Sequence, residues 1–147
     1  MNEAETRAEY IDPKLRASGW GVVEGTKVLR EYKITDGKIL AGGGRAKQLV
    51  TDYVLVYKGR KLAVIEAKSD EFKVGEGVAQ AKNYAGMMHL DTTYASNGKE
   101  IYQVCMNTGK EGIIAAFPAP DELWNKTFAA QDQWRDKFNQ VPFEYAG

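Results

Sequence analysis

The stretch LVTDYVLVYKGRKLAVIEAK, residues 49–68, holds two apolar runs with a short polar turn between them. Both runs are rich in β-branched and aromatic residues, so 49–57 and 61–68 read as neighbouring strands flanking Lys58-Gly59-Arg60. Side chains alternate faces along a strand. Asp52 therefore shares a face with Val54 and Val56, and Glu66 and Lys68 share one with Leu62 and Val64. With Gly59 at the centre of a three-residue turn, Tyr57 pairs with Lys61, and counting outward sets Asp52 opposite Glu66. Opposed residues on one face have Cβ atoms about 5 Å apart. A slip of one residue would send the two carboxylates to opposite faces.

Two carboxylates at that spacing can share one divalent cation, with water filling the remaining positions. A bound metal lowers the pKa of a coordinated water and offsets charge developing on a phosphate. Lys68, two residues beyond Glu66, is placed to orient the attacking water or stabilise the transition state. The Ala67 carbonyl is a candidate further metal ligand. Against this stands a plainer reading, in which Asp52 and Glu66 are edge-strand charges that block aggregation. A Glu-Ala-Lys triplet alone is common. Both carboxylates, however, interrupt runs that read as buried, where an unpaired charge is costly.

Working outward, residues 3–18 read as helical, with Ala4, Ala8, Ile11 and Leu15 on one face. Asp12-Pro13 either kinks this helix or starts a second one with Asp12 as cap. Gly19 is a natural stop. Residues 27–34 read as a strand, Asp36-Gly37 as a hairpin turn, and Gly42-Gly43-Gly44 as a loop that lacks the Gly-Lys-Ser/Thr ending of a nucleotide-binding loop. A helix is expected over 74–89, with Val78, Ala81, Ala85 and Met88 as its apolar stripe. Strands follow at 91–95 and 101–106, joined through Ser96-Asn97-Gly98, with an edge strand at 112–117. Pro118 and Pro120 break the pattern, Asp121 is a candidate cap, and a last helix is expected through Trp134 and Phe138. The order predicts a mixed α/β layer around a sheet.

A chain of 147 residues, 44% hydrophobic and 27% charged, suits one globular domain. No run approaches the roughly 18 apolar residues of a membrane span, and the acidic start (Met1-Asn2-Glu3-Ala4-Glu5) lacks a signal-peptide core. Lone Cys105 excludes an internal disulfide framework and fits a reducing cytoplasm, and with lone His89 it cannot build a His/Cys zinc site. The formal net charge of zero argues against tight DNA capture by bulk electrostatics.

Asp52, thirteen residues, then Glu66-Ala67-Lys68 resembles the PD-(D/E)xK nuclease motif, with Thr51 where that motif has a loosely kept proline. Gln80-Ala81-Lys82-Asn83-Tyr84 resembles the QxxxY motif of RecB-like nucleases, and its Gln80 and Tyr84 lie one helical turn apart. Further blocks narrow the resemblance: Glu5-Thr6-Arg7, Ile11-Asp12-Pro13, Gly19-Trp20, Tyr94-Ala95-Ser96-Asn97-Gly98 and Phe117-Pro118-Ala119-Pro120-Asp121-Glu122-Leu123-Trp124. In order and spacing they are similar to the N-terminal nuclease domain of the R (HsdR) subunit of type I restriction-modification enzymes.

The resemblance implies an α/β restriction-endonuclease-like fold, a central mixed sheet flanked by helices, filling 1–147 as one domain. Residues from about 118 to 147 would be a helical extension leading to a helicase motor absent from this chain. It implies Mg²⁺-dependent cleavage of double-stranded DNA (Mn²⁺ substituting), ATP serving only the motor, and methylation and specificity subunits as partners. Asp52, Glu66 and the Ala67 carbonyl would hold metal, Lys68 would be catalytic, Gln80 and Tyr84 would position DNA or water, and Glu5 is an additional candidate ligand. A stand-alone PD-(D/E)xK nuclease, Mrr-like or a repair enzyme, and a non-catalytic DNA-binding module remain alternatives. Arg45, Lys73 and Lys82 could touch phosphates, although an ordinary solvated surface is the favoured reading for any one of them. Asp70 and Glu71 carry no assigned role. His89 reads as a helix end, Asn97 as part of a turn that could also lie near the site, Cys105 as core, and Trp124 and Trp134 as packing anchors.

Overall fold

A computed structural model describes residues 2–34 and 49–129. The Asp36-Gly37 turn, the glycine triplet, Arg45 and the helix through Trp134 and Phe138 lie outside these. Among the described residues six strands form one sheet in chain order, β1 (Thr26–Lys33), β2 (Val50–Tyr57), β3 (Arg60–Ala67), β4 (Thr92–Ser96), β5 (Ile101–Cys105) and β6 (Glu111–Ile114). Every pairing is antiparallel except β3 with β4, which is parallel. A parallel pair needs a crossover. Here the chain passes through a 3₁₀ turn (Val74–Gly77) and helix α3 (Val78–Met88). No helix among the described residues is long and apolar enough to cross a membrane.

The sheet is covered on both faces, so its central strands are buried almost continuously and do not alternate. On one face Val54, Val56 and Val64 pack against Tyr84 and Ala85 of α3. The predicted stripe holds at Ala81 and Ala85; Tyr84 joins them in the core, while Val78 and Met88 are only partly buried. His89 ends α3 with a left-handed φ of 57°. The other face carries Tyr53, Leu55, Tyr57, Leu62, Ala63 and Ile65 against Ile11, Leu15, Trp20, Phe117, Leu123 and Phe128.

The β2–β3 turn differs from the expected one. Tyr57 pairs with Arg60, leaving two residues in the turn, Lys58 and Gly59, both at positive φ. The register then shifts by one residue, because Leu55 pairs with Ala63 while Val56 pairs with Lys61. Leu62 is the extra residue, and its side chain joins Ala63 on the face opposite Val64. Past this bulge Tyr53 stands opposite Ile65. That is the register the three-residue turn would have produced, so Asp52 comes level with Glu66.

The N-terminal helix also departs from its expected face. It runs as α1 (Glu3–Thr6), a π-helical turn (Arg7–Ile11) and α2 (Asp12–Ala17). The Asp12 amide donates to the Arg7 carbonyl, five residues back. Asp12 is itself helical and does not cap a second helix. Pro13 has no N–H to donate to the preceding turn, and the wider turn falls just before it. The inserted residue rephases the helix: Thr6, Ile11 and Leu15 are buried, and Ala4 and Ala8 are exposed.

At the far end, β6 stops at Ile114, short of the expected 117, and Phe117 turns into the core. A helix, α4, covers residues 120–129. Asp121 is not its cap. Pro120 is the first helical residue, and the Ala119 amide donates to Glu122 Oε1 at 3.2 Å. Asp121 instead accepts the Tyr57 hydroxyl at 2.7 Å. Trp124 packs edge-on to Tyr57 and tilted on Phe128, the anchoring role expected of it.

Candidate active site and metal centre

Asp52 and Glu66 meet at one end of the β2–β3 pair, with the start of α3 over Glu66. Asp52 Oδ2 accepts the Ala67 amide at 2.7 Å. Along a strand the N–H and C=O of one residue point to the same edge, so the Ala67 carbonyl also lies on the Asp52 side. Glu66 is buried, at 4% exposure, and its Oε1 accepts the Thr51 hydroxyl at 2.6 Å and the Asp52 amide at 3.4 Å. Burial pushes the Glu66 carboxyl up to about 8; the Thr51 hydrogen bond opposes that shift and the Asp52 charge adds to it.

Lys68 follows on the strand end, partly buried, with its backbone amide bonded to the Ser96 carbonyl at 2.8 Å. No ion pair to its ammonium occurs among the described residues. Gly77, where the chain enters α3, lies directly over this group. A Cβ there would meet Lys68 Cγ and the Ala95 Cβ at 3.4 Å and the Glu66 Cβ at 3.9 Å. The start of α3 is thus seated on the carboxylate–lysine end of β3. Gln80 and Tyr84 bond to each other at 2.6 Å. Gln80 is exposed, the Tyr84 ring is buried in the α3 core, and neither has a hydrogen bond to Asp52, Glu66 or Lys68 among the described residues. Glu5 sits on the exposed side of α1, with its backbone amide capped by Asn2.

Two residues at the site escaped the sequence reading of its chemistry. Arg7, carried by the π turn, pairs with Asp52 Oδ1 at 2.9 Å. Thr51 holds Glu66; alternation assigns it to the opposite face from Asp52, and its signals were its adjacency to that residue and its place at the motif's proline position. Asn97 and Lys82 have plain structural tasks. Asn97 Oδ1 accepts the amides of Lys99 and Glu100, and its Nδ2 donates to the Phe72 carbonyl. Lys82 pairs with Glu111 at 2.7 Å.

The donor set suits a hard dication. Among the described residues no group of three or more His, Cys, Asp or Glu side chains converges on one point. The site therefore offers two carboxylates and a carbonyl, the sparse oxygen set with which Mg²⁺ keeps several of its waters. A glutamate raised first by burial, and further by the charge of a neighbouring aspartate, is also a group that a cation would relieve.

No protein-family model matches the chain. A solved fragment assigned as an HsdR subunit of a type I restriction enzyme from Vibrio vulnificus YJ016 superposes with a TM-score of 0.79 at 36% identity. The match covers 88% of this chain and 26% of that one. With its six-stranded mixed sheet and flanking helices, the protein has an α/β restriction-endonuclease-like fold. The chain is also 32% identical over 138 residues to the EcoAI type I restriction enzyme endonuclease subunit of Escherichia coli. That alignment takes in 86% of this chain and 16% of the relative, so this chain spans only a small part of that subunit's length. Its homologues are thus the HsdR endonuclease subunits of type I restriction enzymes, and their coverage is consistent with an HsdR N-terminal domain.

Proposed function

We propose that this domain cuts double-stranded DNA as the metal-dependent nuclease of a type I restriction R subunit. The observation that carries the reading is the level placement of Asp52 and Glu66 across β2 and β3, with Lys68 two residues on. Asp52, Glu66 and the Ala67 carbonyl would hold Mg²⁺, or Mn²⁺ in its place. When bound, the metal supplies an acidified water and positive charge beside the scissile phosphate.

The chain's own residues do the rest. Asp52 is fixed by the Ala67 amide, and Glu66 by Thr51, so both carboxylates are aimed before a ligand arrives. Lys68 places an ammonium beside them to orient the attacking water and to stabilise negative charge growing on the phosphate oxygens. Gln80 and Tyr84, one turn apart on α3 and locked to each other, position the DNA strand or the water. In the complete subunit an ATP-driven motor delivers DNA, and methylation and specificity subunits choose the target.

The test uses the full-length R subunit assembled with those subunits. Lys68→Ala is expected to keep ATP hydrolysis and DNA translocation and to lose cutting by at least about 10²-fold, the scale of removing one transition-state donor. Cutting at the wild-type rate would remove Lys68 from the mechanism.

A further inference from the structure

Arg7 has no part in the chemistry proposed above, yet it holds the metal-facing aspartate. Its Nη1 lies 2.9 Å from Asp52 Oδ1, with the side chains 23% and 18% exposed. Asp52 Oδ2 is already committed to the Ala67 amide. The other terminal nitrogen of Arg7, Nη2, is 3.8 Å from the Glu31 carboxylate, which is 72% exposed. Glu31 lies in β1 between Arg30, opposite Tyr53, and Tyr32, opposite Thr51, so it stands level with Asp52. Its left-handed φ of 50° turns it out of the ladder there.

We propose that Arg7 is the resident counter-cation of the metal-free centre, and that a divalent ion entering between Asp52 and Glu66 transfers its guanidinium from Asp52 to Glu31. The proposal rests on the metal-centre reading above. Whichever Asp52 oxygen takes the metal, a dication arrives within a few ångströms of a fixed positive charge in a partly desolvated site, and repels it. Glu31 is the acceptor already within reach, and its exposure leaves its carboxylate free to follow. Arg7 is then a competitor for Asp52 and a positioning residue, and Glu31 is the counterweight that makes its departure cheap.

The test is calorimetric titration of the metal-free 147-residue protein with MnCl₂, in the wild type, Arg7→Ala, Glu31→Gln and Asp52→Ala. Arg7→Ala is expected to bind Mn²⁺ roughly three- to tenfold more tightly, because an ion pair no longer has to be broken. Glu31→Gln should bind it roughly two- to threefold more weakly, and Asp52→Ala should lose the site. Wild-type binding that Arg7→Ala leaves unchanged or weakens overturns the exchange and leaves the metal centre standing. No Mn²⁺ binding in the wild type, or equal binding in Asp52→Ala, overturns both. Should Arg7→Ala not fold without metal, Glu31→Gln decides, and unchanged or tighter binding there overturns the exchange.

Discussion

Glu66 illustrates how one residue can be costly to the fold and useful to the site. Its carboxyl is raised to about 8 in the folded protein against 4.5 for a free glutamate, first by burial and then by the charge of Asp52. The folded state therefore holds a proton that the unfolded chain has released, so the Glu66 contribution to metal-free stability is fully present below about pH 4.5 and is lost as the pH rises towards 8. Denaturant titrations of the metal-free protein at pH 5.5 and 8.5 should differ by on the order of 3 kcal/mol. Glu66→Gln keeps an acceptor for Thr51 and has no charge to bury, so most of that difference should vanish. An equal pH dependence in the variant would place the titrating group elsewhere. The motif pair was legible at this scale because two carboxylates break apolar runs. Arg7 was not, since one arginine in a charged helix carries no periodic mark, and its contact depends on a helix phase that the residue types do not reveal.

At the level of elements, the strands and α3 were readable because branched and aromatic runs and a helical stripe leave few alternatives. What stayed hidden were three local irregularities: the two-residue turn, the bulge at Leu62 and the π turn before Pro13. Each inserts or removes one residue, and residue preferences are nearly blind to such a change. The inferred turn was wrong, and yet Asp52 came level with Glu66, because the missing turn residue reappears as the bulge. The docking of the N-terminal helix has its own signature at Gly98, where φ is 89° and a Cβ would lie 2.8 Å from Tyr10 Cδ2 and 2.9 Å from Thr6 Cγ2. Lys14 also reaches the Gly98 carbonyl at 2.7 Å. Gly98→Ala should therefore cost about 2 kcal/mol or more, from backbone strain and overpacking together, read as a lower denaturation midpoint. A neutral result would mean that the helix can shift off the turn without loss.

For the whole molecule, twenty basic and twenty acidic residues leave no net charge to gather DNA. The chain alone should bind duplex DNA weakly, with Kd above about 10⁻⁶ M at 0.15 M salt, and with a log–log salt slope shallower than about −3, against about −0.9 per phosphate contacted. A steep slope would reveal a basic track not evident from the composition. The fold class and the place of the candidate carboxylate pair were legible at this scale, because the order of strands and helices and two carboxylates in apolar runs suffice for both. The covering of each face was not, since which helix lies on which side depends on long-range packing. The single parallel seam between β3 and β4 also has a kinetic consequence. It divides the sheet into two up-and-down ribbons, β1–β2–β3 and β4–β5–β6, each closed by pairings between strands adjacent in sequence. Ribbons of that kind should zip first, and the seam, which must wait for α3 to cross, should close last. Pulse-labelled amide exchange should show the Tyr53 and Val54 amides protected before that of Lys68, which bonds across the seam to Ser96. Asp52 and Glu66 both belong to the first ribbon, so the two carboxylates would come together early in refolding, while the half of the sheet beyond the seam is still undocked.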